Sequence, residues 1–239
     1  MTEIMIESQL ASLAPLVRDY TPANNVLEHL GSVDIVTLSG TAGAGKDSLR
    51  NLMPYPKVVS MTSRDKRENE TEGQDYNFYN TSQKMDELGE ALANNELVQV
   101  KLGPTGHLYG SMANAYPKRG IALMDCVASQ AQEFRDLGFK SCKNIYITPV
   151  SFSELLARLT KRNSETPGSL IKRFIEGVSS LETGLSDPEF MFVLNDNLGV
   201  AIDHTMDIVQ DMDVPSSRQR IARNAGSAVL GDMLEYIDL

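Results

Sequence analysis

The run Gly40-Thr41-Ala42-Gly43-Ala44-Gly45-Lys46-Asp47-Ser48 has the residue types and the spacing of a phosphate cradle. It fits G-x-x-x-x-G-K. The glycines let the backbone wrap with its N–H groups turned inward, and the lysine reaches the β- and γ-phosphates of a nucleoside triphosphate. Such a pattern is credible only between a buried strand and a helix. Here Ile35-Val36-Thr37-Leu38 reads as the strand, and Asp47 to Met53 as the start of a helix whose N-terminus adds positive potential. A Gly/Ala-rich turn with a solvated lysine is the plain alternative, and the flanks argue against it.

A second cluster follows. Ser60-Met61-Thr62-Ser63-Arg64-Asp65-Lys66-Arg67 leads to Glu70, Gly73 and Asp75-Tyr76. Two arginines three apart beside hydroxyls and a phenol can clamp a phosphate, because guanidinium forks bind oxygens in pairs and the tyrosine donates a further bond. Taken alone, such a charge run is more often a solvated loop. Farther along, Arg158 and Arg162 stand four apart on a helical stretch, where like charges repel, so an anion is expected between them.

Composition narrows the partners. With 22 basic against 32 acidic residues among 239, net charge is −10, which argues against a general nucleic-acid or anionic-membrane binder. Cys126 and Cys142 lack metal-ligand spacing and read as free thiols in a reducing compartment. No apolar run approaches a membrane span, and the start MTEIMIES has an early acid and no basic n-region, so cytoplasm is the expected location.

The elements that must position these residues alternate. Leu10, Leu13, Leu16 and Val17 recur at helical spacing, and Thr21-Pro22 precedes a second short helix ending at Gly31. Strands are expected at Lys57–Met61, Leu97–Leu102, Ile121–Met124, Asn144–Ile147 and Phe190–Leu194, with a polar, charged stretch to Gly73 and then Asp75-Tyr76-Asn77-Phe78 after the first. Helices are expected from Ser82, as N-cap, to Asn94, and over Ser129–Leu137, Ser153–Arg162, Ser169–Leu181 and Ala201–Gln210. Gly103-Pro104-Thr105-Gly106 reads as a turn. Residues 211–239 continue through a Pro-Ser-Ser break into a helical tail. The alternation predicts an α/β sandwich with a parallel sheet of four or five strands.

In this order and spacing the motifs resemble the guanylate kinase family over about Asp34 to Gln210: the phosphate loop, S-x-T-S-R-x-x-R-x-x-E-x-x-G-x-D-Y at Ser60–Tyr76, Tyr109-Gly110-Ser111, and the arginines Arg158, Arg162 and Arg173. The resemblance implies a three-layer P-loop α/β domain at 33–210 between helical segments at 1–32 and 211–239. It also implies a mobile acceptor-binding subdomain near 64–118 and a short lid near 158–172. By the same resemblance Gly40, Gly43, Gly45, Lys46, Asp47 and Ser48 hold ATP with Mg²⁺. Ser60, Arg64, Arg67, Tyr76 and Tyr109 hold the acceptor phosphate, Ser111 and Gln99 lie at its base, and Asp125 is a carboxylate near the metal. Lys46, Arg158, Arg162 and Arg173 act on the transferring phosphoryl group. The implied activity is phosphorylation of a nucleoside monophosphate, GMP to GDP, with small nucleotides as partners. No nucleic acid or membrane is involved, and the oligomeric state is open.

Three residues depart from the family pattern. Asp47 stands where the loop has Ser or Thr; it either holds Mg²⁺ through water or caps the helix. Gln99 stands where a glutamate reads guanine, and its amide offers one acceptor and one donor where a carboxylate offers two acceptors. Val127 replaces a second strand aspartate. The Gly-Lys-Asp-Ser-Leu loop is also similar to that of ribose 1,5-bisphosphate phosphokinases, which keeps a sugar-phosphate acceptor as an alternative. A non-catalytic guanylate kinase-like module is another alternative, though the intact glycines and Lys46 favour catalysis. His107 reads as a bystander, since phosphoryl transfer needs no such group.

Overall fold

The computed structural model describes residues 2–103, 105–161 and 167–238, so Arg162 and Pro104 lie outside the described residues. In chain order, helices α1 (Thr2–Arg18) and α2 (Asn24–Leu30) precede strand β1 (Val33–Ser39) and helix α3 (Lys46–Leu52). Strands β2 (Met61–Thr62) and β3 (Asn77–Phe78), helix α4 (Ser82–Ala93), and strands β4 (Leu97–Leu102) and β5 (Leu108–Met112) follow. Then come β6 (Gly120–Asp125), α5 (Ala131–Asp136), β7 (Ser141–Pro149), α6 (Phe152–Thr160), α7 (Pro167–Ser186), β8 (Met191–Asn195), α8 (Leu198–Val209) and α9 (Ser216–Ile237). The described chain divides into two compact units.

One unit comprises residues 35–55, 123–136 and 141–239. Its strands belong to a sheet of order β6-β1-β7-β8, with β7 and β8 parallel and Ile145 opposite Met191. The strands read as continuous apolar runs because helices cover both faces. Ile35, Val36, Leu38, Ile145 and Ile147 are buried, and the polar Thr37 and Ser39 between them are satisfied, whereas Thr148 Oγ1 has no partner among the described residues. Thr37 Oγ1 donates to Asn144 Oδ1 at 2.6 Å, and Ser39 Oγ to the Cys126 carbonyl at 2.8 Å. Tyr146 stacks on Phe192 with ring centres 5.0 Å apart, and a side chain at Gly184 of α7 would meet the Tyr146 ring at 2.6 Å. The C-terminal helix α9 buries Ala222, Val229 and Met233 in this core. Its Gln219 Oε1 accepts from the Phe192 N–H at 2.7 Å on the edge strand β8.

The other unit comprises residues 1–34, 56–122 and 137–140. Its sheet runs β3-β2-β5-β4, with β2–β3 parallel and β2–β5 and β5–β4 antiparallel. Leu13 of α1 and Met85, Leu88 and Leu92 of α4 pack with Met61, Leu97, Val100 and Leu108 of the sheet.

Three local expectations are corrected. The strand expected at Lys57–Met61 shrinks to Met61–Thr62. Its partner β5 pairs only through Gly110 and Tyr109, and the Ser60 carbonyl is taken by the Asn77 N–H at 2.8 Å. Thr81, not Ser82, caps α4, its hydroxyl accepting from the Lys84 N–H at 3.3 Å. The helix expected over Ser129–Leu137 begins as a 3₁₀ turn at Ala128–Gln130 before α5.

Candidate active site

The phosphate loop is shaped by its glycines. Gly40, Gly43 and Gly45 hold φ of 150°, 83° and 96°, which L side chains rarely adopt. A Cβ at Gly40 would lie 2.5 Å from the Ile147 carbonyl oxygen, and one at Gly45 would lie 2.2 Å from Asn195 Nδ2. The loop is held from outside as well. Asn195, buried at the end of β8, donates from Nδ2 to the Ala44 carbonyl at 2.7 Å. Arg158 donates to the Ala44 and Gly43 carbonyls at 3.4 and 3.5 Å and to the Asn195 carbonyl at 3.0 Å. The loop's outward carbonyls are thus engaged.

Lys46 folds back, its Nζ donating to the Gly40 and Thr41 carbonyls at 2.8 and 3.3 Å. Asp47 and Ser48, in the first turn of α3, are exposed. Asp125 ends β6 with its side chain open to water. Crowding by surrounding protein pushes its carboxyl up, Lys46 pulls it down, Asp47 raises it and Arg50 lowers it. Its contact with solvent limits the first of these effects. Val127 is exposed and leaves Asp125 without the second aspartate of the family pattern. Among the described residues no three His, Cys, Asp or Glu side chains gather as a metal site. A metal here would be held chiefly through nucleotide phosphates, with Asp47, Ser48 and Asp125 as available oxygens.

Arg158 pairs with Glu154, one turn back on α6, at 2.5 Å, and Arg162, expected four residues on, lies outside the described residues. Arg173 sits half-buried on α7.

In the other unit, Arg64 is buried and locked to Glu70 by two bonds of 2.6 and 2.7 Å. Its guanidinium lies 5.0 Å from the Tyr76 ring centre, and its Nε has no partner among the described residues. The Glu70 hydrogen bonds hold the Arg64 proton more tightly, and the same bonds lower the Glu70 carboxyl below the ordinary range. Glu70 also accepts the Arg67 N–H at 2.9 Å, while the Arg67 side chain is 69% exposed and open to a ligand. Tyr76 meets Tyr109 edge-on at 6.3 Å. Ser60 is half-buried.

Gln99 and Ser111 are partners across β4 and β5, so their side chains share one face with Tyr109, which is paired with Lys101. Ser111 Oγ and Tyr116 hydroxyl are 2.9 Å apart. Gln99 is 5% exposed, yet its Oε1 has no hydrogen-bond partner among the described residues. A buried lone acceptor of this kind costs free energy unless a donor arrives. His107 is half-buried, with Nδ1 similarly unpartnered.

Sequence reading missed Asn195 and Glu154 as supports of the loop, and Tyr116 as the Ser111 partner. It had Glu70 in the motif but gave it no role. For Asn195 the available signal was a polar side chain at the C-terminal end of a buried strand, where ligands of open α/β sheets gather.

Glycines at positive φ around an inward lysine, on a parallel α/β sheet, define the class: a P-loop α/β protein. A guanylate kinase family model matches residues 32–212. The guanylate kinase of Sus scrofa is 33% identical over 189 residues, covering 72% of this chain and 89% of that protein. The guanylate kinase of Homo sapiens is 32% identical over 181 residues, covering 70% and 87%. The crystal structure of guanylate kinase from Anaplasma phagocytophilum shares the fold with a TM-score of 0.53 and 20% identity, covering 78% of this chain and 89% of that one. The chain belongs to the guanylate kinase family.

Proposed function

We propose that this protein transfers the γ-phosphoryl group of ATP to a purine nucleoside monophosphate, GMP being the principal acceptor. The observation that carries the reading is the intact cradle: three glycines in conformations that exclude side chains, with Lys46 already turned into the loop, in a chain of this family.

ATP with its Mg²⁺ supplies the phosphoryl group and screens its charge. The residues of this chain do the positioning. The loop N–H groups and Lys46 bind the donor phosphates, and Lys46 exchanges its carbonyl contacts for phosphate oxygens. Arg158 and Asn195 keep the loop carbonyls turned away from the anion. Arg158 and Arg173 neutralise charge that spreads onto the equatorial oxygens. On the acceptor side Arg64 is held ready by Glu70, while exposed Arg67 and the phenols of Tyr76 and Tyr109 supply donors to the monophosphate. The nucleophile is an oxygen of that monophosphate, already anionic at neutral pH, so no general base is required.

The reading is tested by an ADP-release assay with ATP-Mg²⁺ and GMP, dGMP, AMP, IMP or ribose 1,5-bisphosphate. Turnover on GMP of about 1–100 s⁻¹ is expected. A preference for the sugar bisphosphate would transfer the assignment to that reaction, and no turnover on any acceptor would point to a binding module.

A further inference from the structure

Residues 1–31 lie outside the family match, yet they touch the strand that carries Gln99. The contact is specific. The Tyr20 hydroxyl donates to the Leu97 carbonyl at 2.9 Å and accepts from the Leu97 N–H at 2.7 Å, taking both backbone groups of one residue on the edge strand β4. Just before it, the Ala23 N–H donates to the Asn95 carbonyl at 2.9 Å, where Asn95 turns the chain out of α4 at φ 56°.

The β4–β5 register shifts at this place. Leu97 faces Met112 and Gln99 faces Ser111, so β4 carries one residue more than its partner in this step. A bulge of this kind re-aims the following side chains. Here Leu97 and Val100 both enter the core with α1 and α4, while Gln99 faces the other side beside Ser111. Leu10, Val17 and Tyr20 press on that same core.

We propose that the N-terminal segment is a brace for acceptor recognition, with Tyr20 a positioning residue that pins the bulge and so fixes the Gln99 amide for the base of the nucleotide. The inference rests on the reading of Gln99 as a base contact. It gives residues 1–31 a task in substrate recognition as well as in stability. Tyr20 is the right residue type for this. Its ring is part-buried against the core while its hydroxyl reaches the backbone, and burial pushes that hydroxyl up to about 12, so it remains a donor at every working pH.

Tyr20→Phe keeps the ring and deletes both hydrogen bonds. In the variant, the KM for GMP is expected to rise about tenfold, as loss of a buried hydrogen-bond anchor allows, while the KM for ATP stays at its wild-type value. A merely structural loss would lower the folded fraction, and with it kcat for both substrates, without moving either KM. A second reading needs no turnover. In the free protein, NMR of the Gln99 side-chain amide should show displaced resonances in Tyr20→Phe, with faster amide exchange at residues 97–100. Unchanged Gln99 resonances together with an unchanged GMP KM would overturn the brace. Displaced resonances in a protein that does not turn over GMP would keep the brace and remove the kinase reading instead.

Discussion

In the phosphate loop, shape comes from the backbone; on the acceptor face it comes from side chains. Gly40, Gly43 and Gly45 occupy conformations open to little else, and a Cβ at Gly40 would strike a backbone carbonyl that cannot step aside. The acceptor face instead depends on the Arg64–Glu70 fork, the Ser111–Tyr116 hydroxyl pair and a bulge that turns Gln99. The loop has its carbonyls engaged before ligand arrives, whereas the acceptor face keeps Gln99 Oε1 and Arg64 Nε without partners among the described residues. A site of the first kind is preorganised and tolerates little substitution. One of the second kind leaves polar atoms whose cost is relieved by substrate, and it can change preference through single residues.

The largest effect expected from this contrast is at Lys46. Lys46→Ala should lower kcat by about 10²–10³-fold, the scale of losing one preorganised donor to developing charge. Acceptor binding, read by calorimetry with GMP alone, should stay intact. Loss of GMP binding in that variant would erase the distinction between donor and acceptor roles. Next is the fork. Glu70→Ala leaves the buried Arg64 charge unpaired and should cost about 3 kcal/mol in chemical denaturation, with a higher KM for GMP. A change within experimental error would mean that Arg64 finds another partner.

Gly40→Ala should cost about 1–3 kcal/mol, and it should raise the KM for ATP more than that for GMP. Equal changes in both would argue against a loop-specific role. Gln99→Glu supplies acceptors to both N1–H and the 2-amino group of guanine and should raise the preference for GMP over IMP about tenfold. An unchanged ratio would remove Gln99 from the base contact.

The smallest effects are in the pH dependence of stability, where the two units differ. Burial and nearby Arg218 keep His204 below 6.5, with Asp207 opposing. Gln219, whose Oε1 takes the Phe192 N–H, offers its amide NH₂ to an unprotonated His204 Nε2 at 3.4 Å. The unfolded histidine takes its proton near 6.5 and the folded one only lower, so stability falls as pH drops from 6.5 towards the folded value. Glu70, lowered by Arg64, contributes stability present above the unfolded value of 4.5 and lost as pH falls towards its folded value. Denaturation against pH should therefore flatten below pH 6.5 in His204→Gln and below pH 4.5 in Glu70→Gln.

The same contrast governs what could be read from the residues. The loop was legible because its chemistry is local: strand, glycines, lysine and helix are contiguous, and the strand at Leu97–Leu102 was equally plain from its alternation. Arg64 and Arg67 were legible as a pair, but their division of labour was not. Glu70 buries one and leaves the other exposed, which depends on how residues 64–70 fold back on themselves. Arg158 was found, but its contacts to Glu154 and to the loop carbonyls were not, because the latter depend on residues far away in sequence. Asn195 and Tyr20 were invisible. Each acts through a hydrogen bond to backbone far away in sequence, and no spacing records that.

The central claim is phosphoryl transfer from a backbone-shaped loop to a purine monophosphate, and its most direct test is phosphorus NMR of ATP-Mg²⁺ and GMP with the wild-type protein and with Lys46→Ala. The account predicts that the wild type produces the two-phosphate signals of GDP in step with ADP, while the variant leaves GMP unconverted over the same interval. Stable GMP in the presence of the wild-type protein, or conversion at equal rates by both proteins, would contradict it.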